Sequence, residues 1–259
     1  MRKLLILMAA AILLFSTPAF ALFSNGGFET GDTTDWTITG DHSVISSFTP
    51  QFNNTTGWTS GIPYYGSYSL LLGSPGVGNE WDLSHSSTAT QTDSITQADL
   101  DAGLHLNFKW GAILEEPTNN IFHSPDQQPY FSIVISSFDG SAWNTIYFED
   151  QRADEPGFTK VGKAWVPDSA GSRDVGDIWY GTDIADIDLI SLGLGLGDQV
   201  KIDLFVRDCG LNGHGGLVFL DGFGTNIPDT KPVPEPATML LFGSGLIALS
   251  GLKRKFRKK

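Results

Sequence analysis

The chain has 259 residues and a formal net charge of −13. Half of its 16 basic residues lie at the two ends, so residues 22–233 hold only 8 basic side chains against 28 acidic ones. So acidic a surface repels nucleic acid phosphates, which argues against a nucleic acid partner. Cys209 is the only cysteine, which excludes an internal disulfide framework and favours a buried, inert thiol.

The first 21 residues predict a secretory signal peptide. Arg2 and Lys3 form a short positive region, Leu4 to Phe15 are mainly apolar, and Ala19-Phe20-Ala21 is a small-x-small cleavage site. The apolar stretch is shorter than the roughly 20 residues that span a bilayer. We therefore expect a signal helix that is removed after Ala21.

Residues 22–230 predict one all-β domain, an antiparallel β-sandwich. In Leu104–Trp110 and Val200–Arg207, apolar and polar residues alternate, which is typical of strands with one buried face. Further strands are predicted at Tyr68–Leu72, Tyr130–Phe138, Trp143–Phe148 and Leu217–Phe223, with a hairpin turn at Asp139-Gly140. The weak helical pattern of Thr96–Gly103 is interpreted as a turn, and the glycines of 193–197 as a β bend.

The opening motif Asn25-Gly26-Gly27-Phe28-Glu29-Thr30-Gly31-Asp32, followed by Trp36, resembles the first strand of jelly-roll domains related to carbohydrate-binding modules. The resemblance implies a jelly roll whose first and last strands are close together. It also implies a structural calcium ion held by the acid of the opening motif and an Asp of the closing strand. The matching positions here are Glu29 and Asp221, and calcium is the one cofactor that the sequence suggests.

Asp221 also raises a question of its own. Alternation in the last predicted strand puts it on one face with Leu217, Phe219 and Phe223. If that face is buried, the carboxylate needs hydrogen-bond donors or a cation. The intervening residues are apolar too, so the alternation leaves open whether Asp221 instead begins an Asp-Gly turn.

A second resemblance covers the middle and the end of the domain. Leu114–Pro117, His123 and Gln128–Phe131, together with Asp208-Cys209, Gly213-His214-Gly215 and Asp221, are similar to paired segments in extracellular modules of bacterial surface and adhesion-type proteins. This resemblance implies no established reaction.

The last 29 residues, 231–259, resemble a PEP-CTERM sorting tail. Pro234, Glu235 and Pro236 precede an apolar run at 237–252, which predicts a transmembrane helix. A basic end follows, formed by Lys253, Arg254, Lys255, Arg257, Lys258 and Lys259, and it predicts a cytoplasmic terminus with the domain outside. The resemblance implies a Gram-negative host, an exosortase partner, release to the cell surface or matrix, and a link with exopolysaccharide or biofilm. The alternative is an ordinary single-pass anchor.

The sequence assigns no catalytic residue. The polar residues one would try to combine are Glu115, Glu116, His123, Asp208, His214 and Asp221. Adjacent residues of a strand point to opposite faces, so Glu115 and Glu116 form no facing acid/base pair. The five histidines show no zinc spacing, and there is no Gly-x-Ser-x-Gly motif. We therefore expect no enzyme.

Two functions compete at this stage: a noncatalytic surface or matrix protein that binds glycan, and an extracellular polysaccharide hydrolase. Exposed aromatic rings suit sugar stacking, and the loop-like segments offer Trp58, Tyr64, Tyr65 and Trp81 as candidates. The alternative for these four residues is packing in the core or beneath loops.

Overall fold

A computed structural model describes residues 22–49, 52–53, 61–74, 86–116, 127–153, 155–165, 176–209 and 214–225. The predicted signal helix, the sorting motif, the transmembrane helix and the basic end lie outside these residues. Within them, the structure has no helix with the length and apolar character needed to cross a membrane.

The described residues form two antiparallel sheets, which confirms the predicted β-sandwich. Sheet A has the order β1-β5-β11-β7-β8 and sheet B the order β2-β4-β12-β6-β10-β9-β3. The strands are β1 (Thr37–Thr39), β2 (His42–Ile45), β3 (Phe52–Asn53), β4 (Ser69–Ser74), β5 (Ser86–Ser94), β6 (His105–Glu116), β7 (Tyr130–Phe138), β8 (Trp143–Arg152), β9 (Thr159–Trp165), β10 (Asp177–Asp188), β11 (Gln199–Arg207) and β12 (Gly216–Gly224).

The order of the strands is that of a jelly roll. From β4 to β7 each successive strand joins the other sheet, and β11 and β12 alternate in the same way. The inward residues of both sheets meet in one apolar core, so the alternation of Val200, Ile202, Leu204 and Val206 matches their burial. Phe23, Phe28 and Trp36 close this core beside Phe223, which places the opening motif against the last strand.

Several elements differ from the sequence expectation. Gln97–Asp101 form a one-turn helix, α1, and not a plain turn, because Thr96 and Asp99 make a capping box that satisfies its first backbone amides. The long strands β5 and β10 were not among the predicted elements. The buried face of β5 carries Ser87 and Gln91 beside Ala89, where a strand pattern would show larger apolar residues, and partner strands supply its ladder on both sides.

Candidate functional site

The outer face of sheet A carries aromatic side chains where a solvated sheet normally carries polar ones. Lys201, Asp203, Phe205 and Arg207 alternate with the buried residues of β11, and the register sets them beside Tyr130–Phe138 of β7. The aromatic residues of this surface, which we call the aromatic face, are Tyr130, Phe138, Trp143, Phe148 and Phe205. Tyr130 and Phe138 lie eight residues apart on one strand, so the face is about 27 Å long.

One end of the aromatic face combines an aromatic pair with a lysine. Phe138 and Trp143 are cross-strand partners with ring centroids 5.2 Å apart. The Lys201 ammonium lies 5.1 Å from the Trp143 ring centroid and 2.7 Å from a carboxylate oxygen of Asp203. Asp203 in turn accepts a hydrogen bond from the Thr90 hydroxyl, at 2.8 Å. Charged and hydroxyl groups thus hold this end in place while the Trp143 side chain stays 38% exposed.

The other end is built around Tyr130. The guanidinium carbons of Arg152 and Arg207 lie 5.1 and 5.7 Å from its ring centroid, and the Phe205 ring lies 6.1 Å away. Arginines stacked on a ring keep N–H donors in the plane of the surface. This end therefore offers apolar ring faces and hydrogen-bond donors side by side.

Phe148 lies between the two ends and is the most exposed aromatic residue of the described chain, at 55%. It pairs with Val134 on β7, in the row that continues to Asp203 and Thr90. Folding alone does not explain this exposure, because the side chain leaves most of its apolar surface in water.

The outer face of sheet B is arranged differently, because the chain covers it. A second apolar cluster lies there, formed by Ile62, Ile113, Val161, Ile178, Leu217 and Phe219. Residues 61–68, which precede β4, help to bury it: Ile62 is part of the cluster and Tyr64 packs against it. Phe48 also covers it, with its ring centroid 4.9 Å from that of Phe219. We call this surface the covered face.

Tyr64 and Tyr65 belong to that cover. The Tyr64 hydroxyl is 2.8 Å from the Tyr180 hydroxyl, and the Lys109 ammonium lies 4.3 Å from the Tyr64 ring centroid. Burial raises the pKa of Tyr64. Tyr65 is only 8% exposed. Both rings thus have packing roles; sugar stacking by them stays a prediction, and Trp58 and Trp81 lie outside the described residues.

Asp221 anchors the cover to the sheet. It is fully buried, and its Oδ2 accepts hydrogen bonds from the Tyr64 and Tyr65 amides at 2.8 and 2.9 Å and from the Ser69 hydroxyl at 2.7 Å. Burial raises its pKa to about 6, although these donors act in the opposite direction. Hydrogen-bond donors are one of the two kinds of partner that a buried carboxylate requires.

The sequence placed Asp221 and Phe223 on the same face, and that was wrong. The register shifts between Asp221 and Gly224, and Gly222 has a φ of +65°. This bulge turns Phe223 into the core, while Asp221 stays on the covered face with Leu217 and Phe219.

Glu29 binds the same segment from the other side. Its Oε1 accepts hydrogen bonds from the Ser67 and Tyr68 amides at 2.9 and 3.1 Å, and its Oε2 is 3.1 Å from the Ser67 amide. Oδ2 of Asp221 and both carboxylate oxygens of Glu29 therefore accept hydrogen bonds from N–H or O–H donors, while Oδ1 of Asp221 is buried without such a donor among the described residues. Among the described residues no group of three acidic, His or Cys side chains is placed to hold a metal ion. Calcium binding stays a prediction.

Two of the residues considered for catalysis, Glu115 and Glu116, lie at the end of the sandwich opposite to Thr225, whereas Asp221 lies farther along the sheet. Glu115 lies on the covered face and Glu116 on the core side, as the alternation predicts. Glu115 is 1% exposed and accepts a 3.2 Å hydrogen bond from the Gly215 amide; burial raises its pKa to about 8. Glu116 accepts a hydrogen bond from the side-chain amide of Gln128 at 2.9 Å.

Two more of those residues, Asp208 and His214, lie at the same end, just after β11 and just before β12. The Cys209 amide donates to the His214 carbonyl at 2.9 Å, and the Cys209 side chain is buried. Asp208 is 3% exposed. His123 lies outside the described residues.

Comparison with known proteins decides the nature of the tail. Residues 232–255 match the PEP-CTERM protein-sorting motif. The assignment of the tail as a PEP-CTERM motif is thus confirmed, and the motif indicates an exported protein that is processed by an exosortase. No curated protein sequence matches the chain.

Several solved structures are similar to the chain at low identity. TmCBM61, solved in complex with β-1,4-galactotriose, is 15% identical, with 79% of this chain and 97% of that chain covered and a TM-score of 0.37. A carbohydrate-binding module specific for non-crystalline cellulose is 12% identical, with coverages of 77% and 91% and a TM-score of 0.35. A cleaved adhesin domain of Lys-gingipain from Porphyromonas gingivalis is 11% identical, with coverages of 75% and 92% and a TM-score of 0.33.

Sequence reasoning missed the aromatic face, although a signal for it was present. In β7, β8 and β11, aromatic residues occupy the alternate positions to the aliphatic core residues, as Phe205 does between Leu204 and Val206. These residues could have been found by inspecting, in each predicted strand, the alternate positions that face away from the core. Attention to aromatic residues in loops selected the cover of sheet B instead.

Proposed function

We propose that this protein is a noncatalytic, exported surface or matrix protein that binds an exopolysaccharide through the aromatic face. The observation that carries the proposal is the row of rings from Trp143 past Phe148 to Tyr130, in which Trp143 and Phe148 are exposed and Tyr130 is half-buried. Charged and hydroxyl groups border this row. Ring faces suit the C–H surfaces of sugars, and the border supplies donors and acceptors for hydroxyl groups.

The charges of the aromatic face favour a neutral, polyhydroxylated ligand. Lys201 is paired with Asp203, and the Arg152 guanidinium lies 3.7 Å from the Glu155 carboxylate. Cations and anions thus alternate along the surface, and no single sign dominates. A face about 27 Å long fits an extended chain of sugars better than one small molecule.

The hydrolase alternative has less support. Glu115 and Glu116 lie on opposite faces of β6, and both are buried away from the aromatic face. Retaining and inverting glycosidases both need two carboxyl groups that flank one bond.

In this proposal the sorting tail determines where the protein is located in the cell envelope. The apolar run at 237–252 anchors the chain in the inner membrane with the sandwich outside, and an exosortase then passes the protein to the surface or matrix. Replacing Pro234, Glu235 and Pro236 with alanines should leave insertion intact and block sorting, so that the protein accumulates in the membrane fraction. Normal surface display of this variant would contradict the role of the motif.

Binding is tested by calorimetry with the purified full-length chain and the exopolysaccharide of its host. Trp143→Ala with Phe148→Ala should reduce affinity at least about tenfold, since each stacked ring contributes on the order of 1 kcal/mol. The matched control is Ile184→Ala, which removes an equally exposed apolar side chain from sheet B. Equal affinity of the double variant and the control would exclude the aromatic face, and release of reducing ends would support a hydrolase instead.

A further inference from the structure

A second exposed apolar surface lies on the connection between β10 and β11, residues 189–198, which we call the apolar loop. Ile190, Leu192 and Leu196 are 53%, 48% and 62% exposed. Leu189 is buried and Leu194 packs against the core. Leu189 and Leu194 thus attach the loop to the core. Packing within the fold does not explain why the three outward side chains are apolar.

The apolar loop is a defined structure held by hydrogen bonds. The Leu189 amide donates to the Leu104 carbonyl at 3.2 Å and the Gly197 amide to the Ile95 carbonyl at 2.9 Å, which fixes both ends of the loop. Inside it, the Leu194 amide donates to the Leu189 carbonyl at 3.0 Å. Because the backbone is already ordered, burying the outward side chains against a partner costs little conformational entropy.

The described part of the chain ends beside this loop. Gly224 pairs with Asn107 near the start of β6, and the residue just before β6 is Leu104, which binds the loop. The Thr225 hydroxyl donates to Asp99 of α1 at 2.7 Å and accepts from the Leu22 amide at 3.3 Å. The apolar loop, α1 and both ends of the sandwich therefore lie at one pole of the fold.

The sequence after Thr225 identifies a partner for the loop. Residues 226–236 separate the sandwich from the apolar run at 237–252, and eleven residues span at most about 40 Å. When that run is inserted, the linker holds the loop close to the bilayer surface. Such a tether makes a weak contact effective, because the second binding event becomes intramolecular.

We propose that the apolar loop seats the sandwich on the lipid surface that holds the tail, with Ile190, Leu192 and Leu196 at the boundary of headgroups and acyl chains. The proposal rests on insertion of residues 237–252 and is independent of glycan binding. Three side chains form too small a patch for a stable dimer, which buries at least about 1,000 Å². A tethered lipid contact has no such requirement.

Charge next to the loop selects the kind of lipid. Asp188 and Asp198 flank it and accept hydrogen bonds from loop amides, and Asp186 is exposed nearby beside His105. These carboxylates are repelled by anionic headgroups. The loop therefore prefers a zwitterionic surface such as phosphatidylcholine.

The test uses the full-length chain with an environment-sensitive dye on Leu196→Cys, reconstituted in phosphatidylcholine vesicles that carry acyl-chain nitroxides. The matched control is the dye on Ser86→Cys, an exposed position at the opposite pole. Cys209 is buried and so is shielded from labelling. We expect a blue shift and nitroxide quenching for the Leu196 label only, both reduced by adding phosphatidylglycerol and both lost on adding Ile190→Ser and Leu192→Ser.

Three results would overturn the proposal. If both labels report the same aqueous environment, the loop does not touch lipid. A blue shift without nitroxide quenching would mean that a protein, such as a second copy, covers the loop. If the chain does not float with the vesicles, the tail does not insert and the tether is absent.

Discussion

The outer face of sheet B is covered by the chain and that of sheet A is open to solvent, although both sheets share one core. In β12 of sheet B the residues of the covered face are apolar like those of the core side, and residues 61–68 help to bury them. The aromatic face of sheet A mixes rings with paired charges and stays open. The comparison indicates that buried carboxylates serve the fold on sheet B, whereas exposed rings on sheet A remain available to a ligand.

The largest effect should come from removing the anchor of the cover. Asp221→Ala leaves two buried amides and the Ser69 hydroxyl without their acceptor, which should cost about 3 kcal/mol of unfolding free energy. The matched control, Asp203→Ala on the aromatic face, removes partly exposed contacts and should cost less than about 1 kcal/mol. Urea unfolding of the two variants measures both, and equal losses would contradict the distinction between the faces.

The second effect is a pH dependence that arises on the covered face. The pKa values of Asp221 and Glu115 are raised to about 6 and about 8, so the folded state holds these protons more tightly than the unfolded chain does. Their contribution to stability is complete below about pH 4 and is lost as the pH rises through 6 and 8.

Between its pKa in the unfolded chain and its pKa in the folded state, each group lowers the unfolding free energy by at most about 1.4 kcal/mol per pH unit. Glu115→Gln should therefore flatten the fall in unfolding free energy between pH 6 and 8, relative to the unsubstituted chain. Urea unfolding at a series of pH values gives the slopes. An unchanged slope in Glu115→Gln would show that this carboxyl is not the source.

The smallest effect on stability belongs to the aromatic face. Phe148→Ser removes a side chain that is 55% exposed, so the unfolding free energy should change by less than about 0.5 kcal/mol. Phe219→Ser, in the buried cluster of the covered face, is the counterpart and should cost several times more. A large loss in Phe148→Ser would mean that its ring supports the fold.

The sequence predicted the sandwich because strands such as β11 keep a strict period of two. It could not give the cover of sheet B, because Asp221 binds the Tyr64 amide across 157 residues of sequence. Nor could it place Phe223, since a one-residue bulge reverses the face of everything after it. The aromatic face was readable in part, but only the register of β7, β8 and β11 brings Tyr130, Phe205 and Phe148 onto one surface.

The most direct test of the central claim is oxidative footprinting of side chains in the full-length chain, with and without the host exopolysaccharide. We predict that Trp143, Phe148 and Tyr130 become protected when the polysaccharide is added, while Ile184 and Leu196 react as before. Protection of Tyr64 and Tyr180 without protection of Trp143 and Phe148 would contradict this account and assign the ligand to sheet B.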